Sequence, residues 1–168
     1  MIGIQTANLE LSMQVDISKI EVIWQPAVPL LLSARIRSSK LDFPESLWQD
    51  FQLRLQNEHA PIGYPSGVII EREDMQIRDA DTISYSYSRM ETYNEPQHYM
   101  EEGYYLVAYA RADYADTEKI FPRIFDYMEQ QNYIIKGHTY EEYMQDEVSI
   151  SNPDDYLVRI MVHIEKPL

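Results

Sequence analysis

The sequence predicts an α+β fold of tandem β-α-β-β repeats, with two antiparallel sheets that each carry one main helix. Three observations lead there. Two segments place apolar residues at helical spacing, Phe43, Leu47, Phe51 and Leu55 in one, Ile120, Phe121, Ile124, Phe125 and Met128 in the other. Each is flanked by stretches that alternate at strand period. Proline and glycine clusters separate the elements, as at Pro61, Gly63, Pro65 and Gly67.

Taken in order, residues 1–18 form a lead segment without a complete helical stripe, and 19–168 form the domain. A short strand spans Ile20 to Trp24 and is broken by Gln25-Pro26. Leu30 to Arg37 is a second strand, apolar at first and then alternating. Pro44 opens a helix that reaches about Glu58, with Trp48 beside its apolar face. Gly67–Ile70 and Thr82–Met90 are strands, the latter with Ile83, Tyr85, Tyr87 and Arg89 on one face and Ser84, Ser86 and Ser88 on the other. The same order then returns. Tyr104–Ala112 is a strand with Tyr105, Val107 and Tyr109 on one face. Asp116 or Thr117 caps a helix running to about Gln131. Tyr133–Met144, interrupted by Gly137, and Asp155–Ile164 are strands; in the last, Val158, Ile160, Val162 and Ile164 oppose Arg159, Met161 and His163. The second unit answers the first after about 70 to 75 residues, in pattern rather than in side-chain identity. Two such units side by side leave a groove between them, a common place for a ligand.

Composition narrows the function. The 168 residues suit one domain, 45% of them hydrophobic and 25% charged. There is no cysteine, which excludes disulfides and a thiolate-ligated zinc. The four histidines lack metal-ligand spacing, and five glycines form no phosphate loop, so neither metal nor cofactor is expected. No membrane span and no signal peptide are evident, and a cytoplasmic location is expected. A net charge of −14 repels phosphate backbones, so this chain by itself is not expected to touch nucleic acid, whereas a cationic ligand is favoured. Fourteen tyrosines stand against four phenylalanines. Tyrosine suits half-wet walls, with a flat face for stacking and a hydroxyl that needs a partner. Tyr85, Tyr87, Tyr105, Tyr109, Tyr143 and Tyr156 lie in strand-like runs.

Gly137-His138-Thr139-Tyr140-Glu141-Glu142-Tyr143-Met144-Gln145-Asp146, followed by Tyr156 to Ile164, resembles the end of the GyrI-like effector-binding family. That family includes the ligand domains of MerR- and AraC-type multidrug regulators. Ile20-Glu21-Val22 and Pro26-Ala27 resemble its opening, so the likeness runs over about residues 20–165. His138 and His163 depart from it, standing where the family usually has proline. The resemblance implies a cleft for lipophilic, often cationic, drug-like compounds. It maps the family glutamate onto Glu141, with Tyr143 on the same strand face and Tyr156 opening the next strand. A carboxylate among tyrosine rings would pair with a ligand cation, helped by the ring faces. The ligand-binding set is therefore Glu141, Tyr143, Tyr156, Tyr85, Tyr87, Tyr105 and Tyr109.

The leading expectation is the sensing half of a transcription regulator, its DNA-binding part lying outside this chain and residues 1–18 being the remnant of a connecting helix; a homodimer is left open. The alternatives are a hydrolase acting on reactive lipophilic compounds, in which Glu141 would polarise water, and a topoisomerase inhibitor of the same fold.

Overall fold

A computed structural model describes residues 16–40, 42, 66–90, 98–111, 117, 119–143 and 157–167. The predicted helix at 44–58, most of the lead segment and Tyr156 lie outside the described residues.

Ten strands and two helices are described. They are β1 (Asp16–Gln25), β2 (Val28–Leu32), β3 (Ser38–Ser39), β4 (Ser66–Ile70), α1 (Arg72–Gln76), β5 (Thr82–Ile83), β6 (Tyr85–Arg89), β7 (His98–Met100), β8 (Gly103–Arg111), α2 (Phe121–Gln131), β9 (Ile134–Tyr143) and β10 (Leu157–Glu165). Eight strands form one antiparallel sheet in the order β1-β8-β10-β9-β4-β6-β2-β7, and β3 pairs β5 in a small second ladder. The fold is α+β and antiparallel, as the sequence predicts. The two sheets expected are joined into one, because β4 pairs β9 from Ser66 opposite Tyr143 to Ile70 opposite Thr139. Gly67 permits this close pairing: a Cβ there would lie 1.7 Å from the Glu141 carbonyl oxygen.

Several boundaries differ from expectation for local reasons. β2 ends at Leu32, although Ser33 and Ile36 still donate backbone hydrogen bonds to Ser86 and Ser84, and Arg37 then takes φ 53°. The strand expected over 82–90 breaks at Ser84, whose N–H turns to the Ile69 carbonyl. α1 was not expected; its single turn is too short for a periodic signal, and buried Met75 pins it. In α2, Phe121, Ile124, Phe125 and Met128 are buried, with Ile120 just before it. Each such side chain contributes about 1.5 to 3 kcal/mol on full burial. Proline stands in the first turn, no side chain caps the N-terminus, and left-handed Asn132 (φ 58°) ends the helix.

The sheet separates two apolar layers. One holds Val68, Ile70, Leu106, Ala108, Val158, Ile160, Val162 and the buried face of α2. The other holds Leu30, Ile69, Tyr87, Met100, Tyr105, Val107, Tyr140 and Met161. Strand alternation assigns successive residues to these two sides.

Candidate functional site

Strand alternation brings most of the predicted tyrosines together. Tyr105 and Tyr109 on β8 and Tyr85 and Tyr87 on β6 share the face opposite α2, joined by Tyr140 on β9. Tyr87 and Tyr105 are fully buried, while Tyr85 and Tyr109 are half-buried. The rings meet as such a cluster should. Tyr87 and Tyr140 pack edge to face at 5.5 Å, Tyr105 tilts on Tyr140 at 6.3 Å, and Tyr105 stacks on His163 at 4.6 Å. Burial, added to by nearby acidic groups, raises the pKa of Tyr87, Tyr105 and Tyr140, so their hydroxyls stay protonated. Tyr105 donates to the Glu101 carbonyl at 2.6 Å, whereas the Tyr87 hydroxyl and His163 Nε2 make no well-formed hydrogen bond.

Glu141 and Tyr143 are not on this face. Glu141 pairs across the sheet with Val68 and Ile160, both in the helix-covered layer. There the Lys40 ammonium forms an ion pair with its carboxylate, both side chains being buried. Lys40 also donates to Thr117 Oγ1 at 2.8 Å and lies 5.1 Å from the Phe121 ring centroid. Thr117 donates to Glu141 Oε2 at 3.2 Å, and the Tyr143 hydroxyl lies 3.4 Å from the same oxygen. The cation that Glu141 was expected to await from a ligand is supplied by the chain itself. This corrects the expected role, since a paired buried carboxylate has no charge left to satisfy.

The residue that the sequence reading missed is Glu142. It pairs with Arg159 on β10 and Gly67 on β4, and its fully buried carboxylate lies among the tyrosines. Arg89 donates from Nε at 2.7 Å and from Nη2 at 3.0 Å; Arg159 donates from Nε at 3.0 Å and from Nη2 at 2.5 Å. Burial opposes the charge on Arg159, but Glu142 outweighs it and raises the arginine above its ordinary range. A signal for this cluster was available. Arg89 shares the frame of Tyr85 and Tyr87, and Arg159 that of Met161 and His163, so two arginines on one face required a carboxylate.

A groove of about 400 Å³ opens elsewhere, lined by Asp79, Asp81, Phe121, Phe125 and Asp126 among others. Its Arg78 is engaged with Glu129 and its Asp79 with Thr82. The tyrosine face is the candidate taken forward, because it combines a cluster of buried tyrosine rings with an arginine–glutamate ion cluster. No group of three metal-binding side chains occurs among the described residues, and no helix there is long and apolar enough to cross a membrane.

No family model matches the chain. Over 106 residues, 62% of this chain and 38% of the relative, it is 29% identical to the multidrug-efflux transporter 2 regulator of Bacillus subtilis (strain 168). The match thus spans well under half of that curated relative's length. Among solved structures, EcmrR in its DNA complex superposes with a TM-score of 0.70 at 10% identity, covering 98% of this chain and 63% of EcmrR. The EcmrR C-terminal domain gives 0.65 at 11% identity, covering 89% of this chain and 98% of that domain. The chain thus resembles a multidrug-efflux transporter regulator in sequence and the EcmrR C-terminal domain in fold, in line with the resemblance read from the sequence.

Proposed function

We propose that the chain is the effector-binding domain of a multidrug-sensing transcription regulator, and that a small lipophilic aromatic molecule docks on its tyrosine face. The observation that carries this reading is the cluster of Tyr85, Tyr87, Tyr105, Tyr109 and Tyr140 on the sheet face opposite α2. Rings presented by a continuous sheet are pre-ordered, so stacking a flat ligand on them costs little conformational entropy. The similarity to a multidrug-efflux regulator and to the EcmrR C-terminal domain supports the assignment. In the full-length protein a DNA-binding part would read out the occupied state, in line with EcmrR, whose structure includes DNA.

The strand order supports reading the domain as a repeat. From the centre outward each half runs second strand, third strand, first strand: β4-β6-β2 on one side and β9-β10-β8 on the other. The tyrosines flank that central seam.

The hydrolase alternative needs a carboxylate able to polarise water. Glu141 is held by Lys40, and Glu142 by two arginines, so neither is a free base. The lipophilic part of the expectation is retained; its cationic part rested on Glu141, which Lys40 neutralises, and on the net charge of −14.

A fluorescent neutral dye, N-phenyl-1-naphthylamine, tests the reading. It should bind with a dissociation constant near micromolar, about −8 kcal/mol. Tyr85→Ala and Tyr109→Ala should each weaken binding by about two- to tenfold. Binding that ignores both substitutions would place the ligand elsewhere.

A further inference from the structure

We propose that the tyrosine face selects anionic aromatic ligands, a carboxylate carried on a lipophilic ring system, through the Arg89–Glu142–Arg159 cluster. The inference rests on the reading of that face as the ligand site and adds the charge of the ligand.

One buried carboxylate, Glu142, faces two guanidinium groups, so the cluster carries one net positive charge. Its arginine side chains are only 17% and 18% exposed, which strengthens their pull on a bound anion relative to a group in open water. Charge-assisted contacts to guanidinium are the strong hydrogen bonds, and planar carboxylates match the guanidinium edge.

Geometry then leaves donors for a ligand. Arg89 uses Nε and Nη2 on Glu142, with Nη2 also 3.4 Å from Met161 Sδ, and its Nη1 donates to no described residue. Glu142 holds the guanidinium in place, so a ligand anion would meet a donor edge that is already ordered. The buried Tyr87 hydroxyl, protonated beside the Glu142 carboxylate, helps to hold that counter-ion in place. Among the described residues, no carboxylate other than Glu142 forms an ion pair with either arginine. Glu21, which pairs with Val107 in the sheet, forms an ion pair with Lys19 at 3.0 Å, and the Glu101 side chain is 76% exposed. His163 is held toward its neutral form by burial. A cation on this face would approach two arginines whose one counter-ion is already shared between them.

The experiment is a calorimetric titration with three ligands of one shape: 2-naphthoate, 2-naphthamide and 2-naphthylmethylammonium. The naphthoate should bind at least about tenfold more tightly than the amide, the range of a charge-assisted hydrogen bond, and the ammonium more weakly than either. Arg89→Gln should abolish most of that preference, while Arg89→Lys, which keeps the charge, should retain a large part of it. Equal binding of all three would overturn the charge inference and leave the tyrosine face as the ligand site. Tighter binding of the ammonium would overturn it likewise. Binding of none would sink both readings. Should Arg89→Gln fail to fold, the naphthoate-to-amide ratio on the unaltered protein decides alone.

Discussion

Glu141 and Glu142 are chemically identical neighbours whose surroundings give them different counter-ions. Glu141 faces the helix layer and meets the Lys40 ammonium; Glu142 faces the tyrosines and meets two guanidiniums. Neither can be neutralised without stranding a partner. For Glu141→Gln the outcome follows from Lys40, which would remain buried and charged without a counter-ion. Breaking a buried pair from one side costs about 3 to 5 kcal/mol. Chemical denaturation should show a loss of that size, and the double change Lys40→Met with Glu141→Leu should recover most of it. A single substitution that left stability unchanged would mean that the pair is not formed in solution. The same measurement separates a structural Glu141 from a ligand-binding one, which would unfold no more easily when neutralised.

At the scale of elements, the β4–β9 pairing is the joint on which the site depends, since it places Tyr140 and Glu142 next to the β6 tyrosines. Gly67 is the residue that lets the strands approach. Replacing it with alanine would drive a Cβ into the backbone carbonyl of Glu141, a rigid atom that cannot swing aside. Overpacking of this kind costs about 1 to 3 kcal/mol or more. We expect Gly67→Ala to lower the unfolding free energy by at least that much, with an earlier denaturation midpoint, and to weaken dye binding along with it; an unchanged midpoint would contradict the close pairing. Gly137 has a related role. It sits where the β9–β10 register shifts between Val162 and Ile164, and a Cβ there would come within 2.3 Å of His163 Nδ1. The glycine that looked like an interruption of the strand is the space into which His163 fits.

For the whole molecule, one sheet shared by both halves implies one cooperative unit. Far-UV circular dichroism and tyrosine fluorescence should report coincident thermal transitions, and two separated transitions would mean that the halves melt independently. His163 adds a pH dependence. Burial, with Lys136 and His138 adding to it and Glu101 opposing, lowers its pKa from 6.5. The unfolded chain therefore binds a proton that the folded one resists. Stability is complete above about pH 6.5 and is lost as pH falls from there through the lower folded value. The melting temperature should drop between about pH 7 and pH 5. His163→Phe, which keeps a ring against Tyr105, should flatten that part of the curve; an identical slope in both proteins would assign the dependence to other groups.

The amino-acid order alone determined the α+β class, the helix over Phe121–Gln131 with its buried face, most of the longer strands, and the shared strand face of Tyr85 with Tyr87 and of Tyr105 with Tyr109, because helical and strand periods are local properties of the chain. It left Tyr140-Glu141-Glu142-Tyr143 undecided. Two alternation frames fit that segment equally, Glu141 with Tyr143 or Tyr140 with Glu142, and periodicity assigns no frame to a face. Only the tertiary structure chose, through registry with Val68 and Ile160 on one side and Ile69 and Met161 on the other. It also supplied Lys40 and Arg89, 101 and 53 residues away in sequence, as the counter-ions. A carboxylate's role is set by what lies within a few ångströms in space, and that distance is not written in the spacing of residues along the chain.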